Sequence, residues 1–226
     1  DKLLIPVENI DLIDRYVADG SSYAVVDRLG KGSFAKLKEK VKDRLFAIAN
    51  DIIKIAAARE LVNGIQINTD KKILEDFQKS AGFDYTKDQK RSIREIFTDM
   101  SSGRVMDRLL SGDVGFGKTE VAMNAMLAVI LDGFQSIFVC PTTLLATQHY
   151  HSMQKRFKEF GINIAKLDGK TSSKDKTAIK KGLESGDIKL VIGTHSLLEI
   201  KTNNLALVII DEEHKFGVKQ KEKLKH

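Results

Sequence analysis

The sequence predicts an α/β domain in which helices cover both faces of a parallel sheet. From residue 80 onward, short apolar runs alternate with longer helical patterns, as in strands joined by crossover helices. A glycine-rich segment at 112–117 lies between a predicted strand and a predicted helix. The run at 205–210 is apolar at every position, which favours a strand buried on both faces in the middle of such a sheet.

Composition narrows the class of protein before any motif is considered. The chain has 226 residues and is 42% hydrophobic, which is enough for a sizeable core. A single cysteine, Cys140, excludes a disulfide scaffold and a structural zinc cluster built from several cysteines. No apolar run approaches the ~20 residues of a membrane span, so we expect no membrane partner. The chain starts at Asp1 and ends in a charged run, and we expect it to be part of a longer protein.

The net charge of +6 is weak evidence for a nucleic-acid partner because it is unevenly placed. Residues 215–226 contain five lysines and one glutamate, which accounts for four of the six excess charges. The rest of the chain is nearly neutral. Any case for binding DNA must therefore rest on motifs.

The first third of the chain predicts a strand, a linker and two helices. Residues 2–10 read as a short strand followed by a turn, and the glycines and serines of 18–33 are typical of a linker. Ser33 is a candidate N-cap for a long amphipathic helix whose apolar residues recur at threes and fours as far as Val62, before Gly64. A second helix is predicted at 69–79.

The remaining two thirds of the chain predict five strands and four helices. The predicted helices span 88–100, 118–132, 143–159 and 173–184. The predicted strands are Arg108–Ser111, Ser136–Cys140, Ile162–Leu167, Lys189–Ile192 and Ala206–Ile210.

A phosphate-binding loop is the strongest motif in the sequence. Residues 112–119, Gly-Asp-Val-Gly-Phe-Gly-Lys-Thr, match G-x-x-x-x-G-K-[ST] in full between a predicted strand and a predicted helix. Glycines at 112, 115 and 117 let successive backbone amides, including that of Phe116, point at phosphate oxygens. Lys118 would neutralise the β- and γ-phosphates of ATP, and the Thr119 hydroxyl would coordinate Mg²⁺.

A second motif, Asp-Glu-Glu-His at 211–214, follows the predicted strand 206–210. Asp211 at the end of an apolar strand fits the second metal-holding element of phosphate-loop ATPases, and Glu212 would polarise the attacking water as a general base. This second acid favours hydrolysis of the nucleotide. A zinc site at His214 is disfavoured because the other histidines are scattered along the chain and no partners lie nearby.

Together the two motifs resemble the first motor domain of superfamily-2 helicases of the DExH type, a RecA-like phosphate-loop NTPase domain. Residues 83–89 resemble the family's adenine-binding element, which implies that Gln89 contacts the base edge and Phe83 lies near the ring. The resemblance also implies DNA-backbone contacts at the segments 141–146 and 193–198. The side chains expected to make them are Thr142, Thr143, Thr194 and His195.

The stretches 112–123 and 211–218 are most similar to the family of bacterial transcription-repair coupling factors, with RecG-like branched-DNA helicases as the alternative. The resemblance divides the chain into three parts. Residues 1–32 would be the tail of an RNA-polymerase-binding module plus a linker, 33–79 a bridging helix with a short helix, and 80–226 a motor domain truncated at its C-terminus.

The resemblance also implies a function and its partners. The parent would be a cytoplasmic, ATP-driven translocase on double-stranded DNA that displaces stalled RNA polymerase and recruits excision-repair proteins. This chain alone would bind Mg-nucleotide weakly and hydrolyse it slowly. A competing non-enzymatic reading is an interaction module that docks a protein partner while the ATP site is idle.

Overall fold

A computed structural model describes residues 6–7, 33–194, 196–197, 200, 202 and 204–212. The chain divides into two compact units, residues 1–57 and 58–226. The predicted strand at 2–10, the linker at 18–32 and the tail after 212 lie outside the described residues, apart from Pro6 and Val7.

Helix α1, Ser33–Glu60, confirms the long helix and ends four residues before the predicted stop at Gly64. Within this helix, the predicted apolar stripe is exposed at Leu37, Val41, Leu45 and Ile48. Five shorter helices follow in the second unit. They are α2 (Lys72–Lys79), α3 (Lys87–Ser101), α4 (Lys118–Leu131), α5 (Thr143–Lys158) and α6 (Ser173–Ser185), and each confirms a predicted helix to within a few residues.

The described part of the sheet has four parallel strands in the order β2-β3-β1-β4. The strands are β1 (Gln135–Val139), β2 (Ile164–Leu167), β3 (Leu190–Gly193) and β4 (Leu205–Ile210). Gly193 is required where β3 passes β2, because a Cβ there would lie 1.7 Å from the carbonyl oxygen of Leu167. Since all four strands run in the same direction, the segments that follow them meet at one edge of the sheet.

Helices cover both faces of this sheet, as predicted. Phe138 of β1 belongs to a core that includes buried side chains of α3, α4 and α5. Its neighbours Ile137 and Val139 point to the opposite face, where they pack with Leu183 of α6. The alternation along β1 therefore separates two apolar layers, one on each side.

The predicted strand Arg108–Ser111 is wrong, because residues 105–113 form irregular backbone. Arg108 instead extends toward α3, where its guanidinium donates to Asp99 at 2.7 Å and to Glu95 at 2.8 Å. Only Leu109 and Leu110 are apolar within 108–111, and Leu109 is 85% exposed. So short an apolar run is a weak signal for a strand.

The predicted position of the last strand, in the middle of the sheet, is also wrong for the described residues. Strand β4 pairs with β1 on one side only and lies at the edge of the four-stranded sheet. Val208 is 43% exposed. A run of apolar residues identifies a strand, but it does not by itself give the strand's place in the sheet order.

Candidate nucleotide-binding site

The glycine-rich loop before α4 has the backbone shape that the sequence predicts. Gly115 and Gly117 adopt φ angles of 87° and 75°, a left-handed conformation that side chains disfavour. The Lys118 ammonium lies over the loop, where it donates to the carbonyl oxygen of Gly112 at 2.5 Å and to that of Asp113 at 2.9 Å. Lys118 and Thr119 form the first turn of α4, so the helix N-terminus is directed at the loop.

Gln89, predicted to contact adenine, lies against this loop. Its side-chain amide donates to the carbonyl oxygen of Phe116 at 2.9 Å, and its amide oxygen accepts from the backbone of Thr86 at 2.9 Å. The Thr86 hydroxyl accepts in turn from the Gln89 backbone, which completes a capping box at the start of α3. A Cβ on Gly117 would lie 2.5 Å from the Gln89 amide nitrogen, so any other residue there would require the end of the Gln89 side chain to shift.

Phe83 is 52% exposed, and its ring packs at 5.6 Å from that of Tyr85. Tyr85 is 6% exposed, and its hydroxyl is hydrogen-bonded within a polar cluster that the sequence did not predict. An exposed aromatic ring on a fixed support is a suitable platform for a planar base. The position of Phe83 is therefore compatible with its predicted role, which stays a prediction.

The cluster below Tyr85 consists of Tyr85, Glu120, Asn124 and Arg156, and we call it the buried polar cluster. Tyr85 donates to Glu120 at 2.5 Å, and Arg156 donates to the same carboxylate at 2.8 Å. Arg156 also donates to the carbonyl oxygen of Phe77 at 2.8 Å and lies 4.2 Å from the centre of that ring. Burial and the Glu120 carboxylate raise the pKa of Tyr85, so the phenol stays protonated as a donor.

The buried polar cluster joins four segments, because its residues come from the Phe83–Tyr85 loop, α4 and α5, and Arg156 reaches the end of α2. Glu120 follows Thr119 directly, so the cluster fixes the first turn of the helix that begins at the phosphate-binding loop. One feature of the sequence indicates this cluster. Glu120 and Asn124 are spaced i, i+4 in a helix whose remaining residues from 121 to 130 are apolar.

Asp211 and Glu212, the described part of the acidic motif, lie at the carboxyl edge of the sheet, as predicted. The Asp211 backbone donates to the carbonyl oxygen of Val139 at 2.8 Å, which continues the β1–β4 ladder one residue past the strand. Glu212 follows with a φ of 51°, which is uncommon for a residue other than glycine and recurs at functional sites. Helix α4 packs against β1 and β4, which brings the loop's helix to the strand that carries Asp211.

Asp211 has two neighbours that sequence reasoning treated as unrelated. The His149 Nε2 atom lies 3.1 Å from an Asp211 carboxylate oxygen. The ligand atoms of Cys140, His149 and Asp211 all lie within 4.8 Å of one another. Burial, with a smaller contribution from Asp211, raises the pKa of the Cys140 thiol to about 12.

The residues predicted to contact DNA follow β1 and β3 at the same edge. Thr142 is exposed, and its hydroxyl caps α5 by accepting from the Leu145 backbone at 3.3 Å. Thr143 is the first residue of that helix. Thr194 is 5% exposed, with its hydroxyl 3.4 Å from that of Ser196. His195 lies outside the described residues.

A parallel sheet with helices on both faces and a phosphate-binding loop before α4 define a RecA-like domain of the phosphate-loop NTPase class. The sequence profile described as DEAD/DEAH box helicase matches residues 86–226. This is more than half of the chain, and the chain belongs to the DEAD/DEAH box helicase family.

Among curated relatives, the chain is 55% identical over its whole length to the transcription-repair-coupling factor of Helicobacter pylori strain J99 and 43% identical to that of Bacillus subtilis strain 168. It spans only 22% and 19% of those proteins, about a fifth of their length. Within the described ranges, no helix combines the length and apolar character needed to cross a membrane.

Among solved structures, RecG bound to a three-way DNA junction matches with a TM-score of 0.71 and 43% identity. That match covers 81% of this chain and 26% of the RecG chain. The UvsW helicase of bacteriophage T4 matches at a TM-score of 0.51 and 15% identity, covering 71% of this chain and 57% of that one. At this identity the second likeness shows the fold alone.

Proposed function

We propose that this chain is the ATP-binding first motor domain of a double-stranded DNA translocase of the transcription-repair coupling type. The observation that carries the nucleotide half of the proposal is the loop at 112–119, whose left-handed glycines lead directly into α4 and whose Lys118 is the first residue of that helix. The 55% identity to a coupling factor over the whole chain supports the choice of translocase.

In this proposal the loop grips the triphosphate of ATP. Backbone amides of 112–117 and the N-terminus of α4 face the phosphates. The Lys118 ammonium leaves the carbonyl oxygens of Gly112 and Asp113 and binds phosphate oxygens instead. Its positive charge offsets the negative charge of the phosphates. Gln89 and Phe83 hold the adenine beside the loop, where Gln89 is already hydrogen-bonded to the backbone of Phe116.

The donor set is suited to Mg²⁺, because the Thr119 hydroxyl and the Asp211 carboxylate are hard oxygen ligands. When bound, Mg²⁺ neutralises charge on the phosphates. Glu212 is proposed to orient the attacking water and to accept its proton. With Lys118 and Asp211, it forms the catalytic set of this chain.

The DNA half of the proposal rests on the carboxyl edge of the sheet. Thr142, Thr143, Thr194 and His195 are proposed to contact the phosphate backbone of double-stranded DNA without reading bases. Residues 33–79 are proposed to join this motor domain, 80–226, to an RNA-polymerase-binding module whose tail is 1–32. RNA polymerase and excision-repair proteins would act with the full-length cytoplasmic protein.

The alternative is a RecG-like motor acting on branched DNA. It is favoured by one observation, the 43% identity to RecG over 81% of this chain. The two candidates differ in their DNA substrate. Preference for a linear duplex over a three-way junction, measured with the full-length protein, supports the translocase, and the reverse preference supports the RecG-like motor.

A calorimetric titration with Mg-ATP tests the nucleotide site. We expect the intact chain to bind Mg-ATP, and Lys118→Ala to lose at least about tenfold in affinity, since a charge-assisted contact is worth about 1.5–3 kcal/mol. Lys174→Ala, which removes an exposed lysine from α6, is the matched control and should bind like the wild type. Equal affinity for all three would refute the proposed site.

A further inference from the structure

Three metal-ligand side chains converge beside Asp211, and rigid elements hold each of them. Strand pairing joins Val139 to Ile210, so the next residues, Cys140 and Asp211, lie opposite each other at the strand ends. Each is tied by its backbone, since Cys140 donates to Gly193 at 2.7 Å and Asp211 to Val139 at 2.8 Å. Register partners in a sheet point to the same face.

Helix α5 supplies the third donor on that face. The His149 ring packs against the ring of Phe138, with 5.1 Å between the ring centres. Phe138 lies in β1, two residues before Cys140. This contact holds the His149 Nε2 atom 3.1 Å from the Asp211 carboxylate. Cys140 is fully buried, while His149 and Asp211 are partly exposed. Solvent can therefore reach the cluster at His149 and Asp211 but not at Cys140.

The donor set differs from the all-oxygen set that Mg²⁺ prefers. A thiolate, an imidazole and a carboxylate are the ligands of Zn²⁺ and of its spectroscopic substitute Co²⁺. A tetrahedral zinc ion bonded at about 2.0–2.3 Å needs donor atoms roughly 3.3–3.8 Å apart. The three atoms lie within 4.8 Å of one another, so a contraction of about 1 Å closes the site.

We infer that Cys140, His149 and Asp211 form a binding site for one Zn²⁺-like transition-metal ion, with water in the fourth position. The site has three protein ligands and one open position, which is the pattern of accessible zinc sites. Because Asp211 is also the proposed Mg²⁺ ligand, an ion held here withdraws that carboxylate from the nucleotide site. This consequence rests on the proposed function, whereas the binding itself does not.

Titration of the purified intact chain with Co²⁺ tests the binding. Cys140 is the only cysteine in the sequence, so a thiolate-to-cobalt charge-transfer band can report on this site alone. We expect a one-to-one complex with that band and with tetrahedral ligand-field absorption. A wild-type complex without the thiolate band would overturn the inference.

Variants separate this site from adventitious binding. Cys140→Ser should abolish the charge-transfer band, and His149→Ala should weaken Co²⁺ affinity at least about tenfold. His151→Ala, an exposed histidine two residues further along α5, is the matched control and should bind like the wild type. Circular dichroism confirms that each variant is folded, and Cys140→Ala replaces Cys140→Ser if the latter is not. An unchanged His149→Ala titration contradicts the inference.

A second measurement tests the consequence separately. We expect one equivalent of Zn²⁺ to weaken Mg-ATP binding by the wild type and to leave binding by Cys140→Ser unchanged. Equal weakening in both proteins would overturn the proposed antagonism. If neither protein binds Mg-ATP, the proposed nucleotide site fails, while the Co²⁺ titration still decides whether the metal site exists.

Discussion

The phosphate-binding loop and the buried polar cluster meet at the start of α4 but are built in opposite ways. The loop at 112–117 consists mostly of backbone and is largely exposed, and its lysine contacts carbonyl oxygens that a ligand can replace. The buried polar cluster consists of side chains that are largely buried and hydrogen-bonded to one another. We interpret the first as a place for a ligand and the second as a fixed support.

This difference follows from the cost of leaving polar groups unpaired. A loop in water loses little when a contact is broken, because water replaces it. A buried carboxylate cannot be rehydrated, and it must keep Arg156 and Tyr85 as donors. Substitutions in the loop should therefore change ligand binding more than stability, and substitutions in the cluster should do the reverse.

The largest expected effect on stability comes from breaking the buried ion pair. Arg156→Met leaves the Glu120 carboxylate buried without its cation, and we expect the free energy of unfolding to fall by about 3–5 kcal/mol. Urea denaturation measures this change. Lys155→Met, at the exposed neighbouring position on α5, is the control and should change it by less than about 0.5 kcal/mol.

The double variant Glu120→Leu with Arg156→Met sharpens the result. Replacing both charges by apolar groups removes the uncompensated carboxylate, and part of the lost stability should return. If Arg156→Met alone is as stable as the wild type, the cluster is not the support that its geometry indicates.

A smaller effect is expected from a methyl group at Gly117. Alanine there must adopt a φ of 75°, and its Cβ would meet the Gln89 amide at 2.5 Å. Gly115→Ala is the matched control, since φ is 87° but no atom lies within 4 Å of the added Cβ. We expect about 1–2 kcal/mol of destabilisation from the backbone in both, and more in Gly117→Ala. Equal unfolding free energies for Gly117→Ala and Gly115→Ala would show that the Gln89 side chain moves aside at no measurable cost.

The smallest effect is expected at Lys71–Asp132, an ion pair of 2.8 Å that is 23% exposed on each side. Hydrogen bonds from Lys71 and from the Asn68 backbone lower the pKa of Asp132. A depressed carboxyl pKa stabilises the fold above about pH 3.9, the unfolded value, and this contribution is lost as pH falls through the folded value.

Lys71→Met should therefore cost less than about 1 kcal/mol at neutral pH, with a difference from the wild type that shrinks in acid. Unfolding free energies measured from neutral pH down to about pH 3 test this. Lys72→Met, an exposed neighbour, is the control. A difference that grew in acid would contradict the assignment.

Local signals predicted much of the fold. Helices α2 to α6 follow from apolar periodicity, and the loop and Asp211 follow from motifs that need only neighbouring residues. The strand expected at 108–111 was predicted from only two apolar residues, and Arg108 pairs instead with two acids of α3, which no local pattern encodes. The order of the strands in the sheet could not be predicted either, since an apolar run does not indicate whether the strand pairs with one neighbouring strand or with two.

The two side-chain clusters were missed for a related reason. Glu120 and Arg156 are 36 residues apart, and His149 and Asp211 are 62 apart. The first pair meets because α5 reaches the start of α4, and the second because α5 lies beside the end of β4. Cys140 and Asp211 meet through strand register. Glu120 and Asn124 in an apolar helix gave a usable hint of a buried partner, whereas Cys140 gave none.

The most direct test of the account is urea unfolding of the wild type and of Lys118→Ala, with and without Mg-ATP. A ligand that binds only the folded state adds about 2.7 kcal/mol at a hundred times its Kd. We predict that both proteins unfold at the same urea concentration without nucleotide, and that Mg-ATP stabilises the wild type alone. Equal stabilisation of Lys118→Ala by Mg-ATP would contradict the claim that this loop is the nucleotide site.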